Sequence, residues 1–183
     1  LRALLDELGV GTTIWPVPVE IPGAIPFTDD REHAMTVAFT AETTIGHPPG
    51  TVWNRLVDWD SAPQWMPGVD SLRAEGPMAA GTNLVFTARG KERRGSILAV
   101  QPGRSVTLRS SQGGVTADYA YECVDHGQGT RVSLVADCSM TGPGRFLGPL
   151  IRFAIRRSDG GQLEAFAATF DRHARPLSSR SAR

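Results

Sequence analysis

No run of apolar residues in this chain of 183 approaches the ~20 positions that a membrane-spanning helix requires. An integral membrane segment is therefore not expected. Neither sign of charge is in surplus: 19 basic and 19 acidic residues cancel. A nucleic-acid partner calls for a basic excess or stripe, so that class is excluded. Cysteine is scarce, with only Cys123 and Cys138. Two cysteines build neither a disulfide framework nor a zinc site, and His33, His47, His126 and His173 stand at no metal-ligand spacing from one another. Phosphate-cradling and dinucleotide-binding glycine loops, a G-x-S-x-G turn and an H-E-x-x-H helix are also missing. Neither a metal nor a cofactor is expected. Residues 1–30 lack the basic start and continuous apolar core of a secretory signal, so a reducing cytoplasm is the expected compartment.

The first 34 residues read differently from the rest. LRALLDELGV carries Leu1, Leu4, Leu5 and Leu8 at helical spacing. Prolines at 16, 18, 22 and 26 then exclude helix and central strand. A charged connector, TDDREHA, leads to Met35, where regular patterning begins. Residues 1–34 are read as an extension outside the main domain, 35–175 as the domain, and 176–183 as a polar tail.

From Met35 the alternation is that of strands. VAFTAETTI places Val37, Phe39, Ala41, Thr43 and Ile45 on one face. His47-Pro48-Pro49 stops it. GTVWNRLVDW then has helical spacing at Val52, Trp53, Leu56 and Val57, and SAPQWM follows as a short helical turn with Ser61 as its expected cap. Six more strands are expected: 69–75, 82–89, 93–101, 105–111, 115–124 and 130–140. Turn signals such as Gly76-Pro77, Gly90-Lys91, Pro102-Gly103 and Gly113-Gly114 separate them. Such short spacing implies an antiparallel meander.

The last hairpin has a testable register. Pairing Cys123 with Val132 sets Tyr121 against Leu134, Tyr119 against Ala136 and Ala117 against Cys138. The larger apolar side chains then share one face, while Asp118, Glu122, Arg131 and Ser133 share the other; one residue of slip would break this. The two cysteines stand about 20 Å apart at ~3.4 Å per residue, too far to bond.

A long helical pattern closes the chain. Phe146, Leu147, Leu150, Ile151, Phe153, Ala154 and Ile155 form its first half, and Leu163, Phe166, Ala167 and Phe170 its second. Between them Gly160-Gly161 costs roughly 2 kcal/mol relative to alanine in a helix interior. A kink is expected there, with Ser158 or Asp159 capping the second half.

The order is β-α-α-β6-α. With the segments TTIGHPPGTVWNRLVD, WMPGV, GTNLVF, LAVQPGRSVTLR and GQGTRVSLVAD, it resembles the SRPBCC superfamily of START, polyketide cyclase/dehydrase and birch-pollen-allergen proteins over about 35–174. The resemblance implies an α+β helix-grip fold: a curved seven-stranded antiparallel sheet around a long C-terminal helix, with a cavity between them. Residues 1–34 resemble a fragment of a separate, uncharacterised bacterial family. They are either a fusion remnant or upstream sequence with Met35 as the natural start. So short a fragment forms no core of its own, which favours the second reading.

The expected inward set is Phe39, Ala41, Leu84, Phe86, Tyr119, Tyr121, Leu134, Ala136, Leu150 and Phe153, with Trp65 where the second helix meets the cavity mouth. Trp53 is assigned to the core and Trp59 to the surface or rim. This apolar pocket with two phenols suits a small hydrophobic molecule better than proton transfer, which needs a titratable group within reach. Whether the protein is an enzyme is left open: an aromatase/cyclase or lyase would use Tyr119 or Tyr121 as hydrogen-bond donor. A co-chaperone-like interaction module is the third class, and it requires an exposed apolar patch. Thr43, Thr87 and Ser110 are candidate polar lining. Arg89, Arg93 and Arg94 are read as a solvated hairpin end or an anion site at the mouth. The histidines are read as solvated. The oligomeric state is not legible.

Overall fold

The computed structural model describes residues 35–140, 149, 153, 155–157 and 160–174. Residues 1–34, the helical positions 146, 147, 150, 151 and 154, the proposed caps Ser158 and Asp159, and the tail lie outside the described residues. Seven strands form one antiparallel sheet: β1 (Thr36–Ile45), β2 (Val69–Ala74), β3 (Asn83–Ala88), β4 (Lys91–Gln101), β5 (Ser105–Gln112), β6 (Val115–Asp125) and β7 (Thr130–Met140). Their order, β1-β7-β6-β5-β4-β3-β2, is a meander whose first strand joins the last. The helix α1 (Pro49–Leu56) and a 3-10 helix (Trp59–Gln64) fill the β1–β2 connection, and α2 (Gln162–Ala174) closes the chain. This is the curved sheet and C-terminal helix of a helix-grip fold.

The β6–β7 register agrees residue for residue with the expected one, including Tyr121 opposite Leu134 and Ala117 opposite Cys138. Both cysteines are buried thiols. The β1 face differs at its start. The register slips between Val37 and Phe39, and this bulge turns Val37 outward, leaving it 53% exposed while Phe39 is buried.

Pro49 starts α1, where its missing N–H costs nothing. Val52, Trp53 and Leu56 share the buried stripe. The helix ends at Leu56, three residues earlier than expected. Arg55 in its last turn reaches the Gln64 side chain at 2.9 Å and so ties α1 to the 3-10 helix. Ser61 is not a cap. It lies inside the 3-10 helix, and its hydroxyl donates to the Asp58 carbonyl at 2.8 Å. Trp53 is in the core and Trp59 is half-buried against it.

The paired glycines do form a turn ahead of α2. Gly160 does not have the room of an ordinary helical residue, however. A methyl group added there would lie 2.5 Å from the Arg156 carbonyl oxygen, whereas at Gly161 nothing lies within 4 Å.

Candidate ligand-binding site

The concave face takes its side chains from alternate positions of six strands. Facing inward are Leu84 and Phe86 of β3, Ile97 of β4, Val106 and Leu108 of β5, Tyr119 and Tyr121 of β6, Leu134 and Ala136 of β7, and Phe39 of β1. Trp65 covers them just after the 3-10 helix, and Leu163 and Phe166 come down from α2. The rings form one cluster. Trp65 stands perpendicular to Tyr121 at 6.0 Å and lies 4.9 Å from Phe166, while Tyr119 stacks beside Tyr121 at 6.3 Å.

The side chains of this face are tightly buried. Leu134, Ala136, Leu163 and Phe166 have no exposed surface, and Tyr119, Tyr121, Leu84 and Trp65 have 1–2%. Among the described residues these side chains pack against one another in one cluster. A slot lined by Leu72, Leu84, Phe86, Gly95, Arg109 and Ser110 has no room for a water molecule. Ala41 is only half-buried. Phe153, expected to meet Tyr121 and Leu134, is 59% exposed, because the helical turn that carries it directs its neighbour Ile155 inward instead. Leu150 lies outside the described residues.

Polar groups reach the interior at two places. The Tyr121 hydroxyl donates to Gln162 Oε1 at 2.9 Å, and Gln162, the first residue of α2, is 2% exposed. The indole N–H of Trp65 is buried beside them with no hydrogen-bond partner among the described residues. Leaving such a donor unmade costs about 1–3 kcal/mol. At the other end of the concave face lies Arg93. It is opposite Phe86 on β4, 9% exposed, and hydrogen-bonded to Gln112 Oε1. It is not part of a solvated hairpin end, although Arg89 and Arg94 are exposed. Ser110 is buried on the same face, while Thr87 falls opposite Glu92 on the other.

The convex face carries buried charge as well. Asp118 and Asp137 are directly opposite each other and both buried, at 0% and 6% exposure. Arg109 binds both oxygens of Asp118 through Nε and Nη2. Asp137 Oδ1 has no partner among the described residues. Burial pushes the Asp137 carboxyl above its usual range, and the Asp118 charge adds to this. Alternation assigned Asp118 correctly to the outer face, but polar did not mean solvated. On the concave face, burial and then the neighbouring Glu122 charge push the Cys123 thiol up to about 12. His47 is half-buried: its ring lies 5.0 Å from that of Phe170 of α2, tilted by 37°, and its carbonyl accepts from Thr130 Oγ1 at 2.7 Å.

No group of three or more His, Cys, Asp or Glu among the described residues is arranged to hold a metal ion. No helix among them is long and apolar enough to cross a membrane.

An antiparallel sheet gripping a C-terminal helix through an aromatic concave face defines a helix-grip protein. The polyketide cyclase / dehydrase and lipid transport family matches residues 36–171, and the chain belongs to that family, within the SRPBCC superfamily. No curated protein matches the sequence. Similar solved structures include the Zhui aromatase/cyclase from Streptomyces sp. R1128, at TM-score 0.62 and 15% identity, covering 80% of this chain and 99% of that one. TTHA0849 from Thermus thermophilus gives 0.59 at 21% identity, covering 74% and 98%. Ara h 8.0201 gives 0.59 at 18% identity, covering 74% and 97%. At such identities the likeness is one of fold.

Proposed function

We propose that the protein binds a small hydrophobic molecule between the concave face and α2, with α2 lifting to admit it. The observation that supports this most is the composition of that interface. It is a continuous apolar and aromatic surface, and Tyr121–Gln162 is a polar tie across it. Exposing Leu163 and Phe166 costs ~1.5–3 kcal/mol each, about 3–6 kcal/mol together. A ligand offsets this by burying ~120–240 Å² of apolar surface at ~25 cal/mol per Å². One ring the size of phenylalanine buries ~150–250 Å², about that range, whereas two or more fused rings exceed it. The site therefore favours polycyclic or long-chain molecules.

Turnover has less support. The carboxylates Asp118 and Asp137 lie on the convex face, behind the sheet, and among the described residues the concave face offers phenols, buried thiols, a serine hydroxyl, amides and one guanidinium. Acid–base catalysis requires a titratable group at the substrate. An interaction module is also less favoured. The exposed large apolar residues of the sheet, Val37 on β1 and Leu98 on β4, are separated by three intervening strands.

The test is a titration with N-phenyl-1-naphthylamine, read by its fluorescence. One saturable site is expected, and it is abolished in Leu134→Trp. Since Leu134 is fully packed, that variant also loses ~1–3 kcal/mol of stability. Absence of saturable binding by the wild type, or undiminished binding by a folded Leu134→Trp, overturns the reading.

A further inference from the structure

One row of cross-strand neighbours on the convex face runs Val37 of β1, Asp137 of β7, Asp118 of β6 and Arg109 of β5. The row holds two carboxyls and one guanidinium. Arg109 binds both oxygens of Asp118, so its fork is committed to that residue. Asp137 stands beyond Asp118, at the ~4.5–5.5 Å between β-carbons of directly opposed strand residues. Next to the two acids in the register of this face stand Val37, Thr116, Ala120, Val135, Ser139 and Arg109, and of these only Arg109 is charged. The next acids along β6 and β1, Glu122 and Glu42, pair with Arg104 and Arg131. With both aspartates buried, the doubly ionised row is disfavoured against the row that keeps one proton.

The start of β1 flanks Asp137 on the side away from Asp118. Thr36 pairs with Cys138 and Val37 with Asp137, but the register slips before Phe39, so these two pairs are set apart from the rest of β1. β1 is an edge of the sheet, and Thr36 and Val37 are both exposed. Parting the two pairs uncovers little apolar surface and admits water to Asp137. We propose that one proton held by the Asp118–Asp137 pair clips the start of β1 onto β7, and that ionisation of Asp137 releases it. The proton resides on Asp137, because Asp118 has the guanidinium to hold its charge. Burial and then the Asp118 charge raise the Asp137 carboxyl, as this assignment requires. Asp137 thus binds the proton more tightly with the clip closed than with it open to water. The clip is closed below the ordinary carboxylate range and loosens as pH rises through the raised value. It lies on the opposite face of the sheet from the proposed ligand site and does not depend on it.

The experiment is amide hydrogen exchange on the full chain, read by NMR as pH is raised from about 4 to about 8. The amides that bond across the Thr36–Cys138 and Val37–Asp137 pairs report the clip. After correction for the intrinsic exchange rate, their protection should fall by up to about tenfold per pH unit above the raised value. Amides bonding β6 to β7 farther along, at Tyr121–Leu134, should show no such fall. Asp137→Asn keeps a neutral carboxamide at every pH, so in that variant the protection of the clip should not vary with pH. A carbon-13 titration of the Asp137 carboxyl in the wild type needs no substitution, and its midpoint should lie above the ordinary aspartate value of about 3.9. Protection independent of pH in the wild type, or equally pH-dependent in Asp137→Asn, overturns the proposal. So does an Asp137 midpoint at or below the ordinary value, which would mean that a basic group from elsewhere holds its charge.

Discussion

Alanine at Gly160 and alanine at Gly161 should move stability in opposite directions, although the two glycines are adjacent. A β-carbon at Gly160 lies 2.5 Å from the Arg156 carbonyl oxygen, about 0.9 Å short of ordinary contact at 3.4 Å. The obstacle is backbone, so it cannot swing aside. The Gly160 N–H also donates to that same oxygen at 3.0 Å. Relieving the clash therefore stretches a hydrogen bond. Overpacking costs ~1–3 kcal/mol and the weakened bond ~0.5–1.5 kcal/mol, which gives about 2–4 kcal/mol of destabilisation for Gly160→Ala. At Gly161 nothing lies within 4 Å of the added carbon and the backbone is not left-handed. Alanine there restricts the unfolded chain and should stabilise by ~0.4–1 kcal/mol. Urea denaturation of the two single variants reads both signs directly as shifts in midpoint at constant slope. Because this turn aims Gln162 at Tyr121, Gly160→Ala should also loosen that bond. A Gly160→Ala midpoint equal to or above wild type would refute the reasoning, since it would mean that Gly160 tolerates a side chain like any helical residue.

Trp53→Ala should cost about 3–5 kcal/mol in the same denaturation assay, as a large-to-small change in the core. Asp137→Asn should be more stable than wild type at neutral pH. The folded Asp137 carboxyl is raised, so the wild type binds this proton more tightly folded than unfolded. Its stability contribution is present below the ordinary carboxylate range and lost as pH rises through the raised value. The variant's advantage should accordingly vanish in thermal melts at acid pH. Both cysteines should resist a thiol reagent at pH 8 in the folded protein and react after unfolding in urea, because Cys123 is pushed up to about 12 and both are buried. Deleting residues 1–34 should leave a cooperative melt, since a complete sheet and α2 are described from Met35 onward.

The hairpin of β6 and β7 was readable because its eleven-residue strands put every larger apolar side chain except Val124 and Val135 on one face, around a turn of fixed length. A single bulge defeated the same logic at Val37, since a bulge leaves no mark in an apolar run. Arg93 was readable in principle. Arg89 and Gly90 both have positive φ, as a tight two-residue hairpin turn demands, and pairing Ala88 with Lys91 forces Phe86 opposite Arg93. Its charge suggested solvent where its register required the interior. Asp137 went unread for the same reason: periodicity reports the face, and burial there depends on neighbours such as Arg109 and Asp118. Gln162 carried no signal at all. A glutamine at the start of an amphipathic helix is ordinary, and only the meeting of α2 with β6, some forty residues away in sequence, gives it a partner. The elements and the hairpin register were thus legible from local pattern, and the helix-grip arrangement from the family resemblance, whereas the polar contacts of the site arise from long-range packing that a pattern does not encode.

The most direct test of ligand binding beneath α2 is a chemical-shift map of the isotope-labelled protein titrated with N-phenyl-1-naphthylamine. Saturable shifts confined to Trp65, Tyr119, Tyr121, Leu134, Ala136, Gln162, Leu163 and Phe166, with the convex residues Arg109, Asp118 and Asp137 unmoved, are the predicted result. Shifts centred on the convex face, or none that saturate, would contradict it.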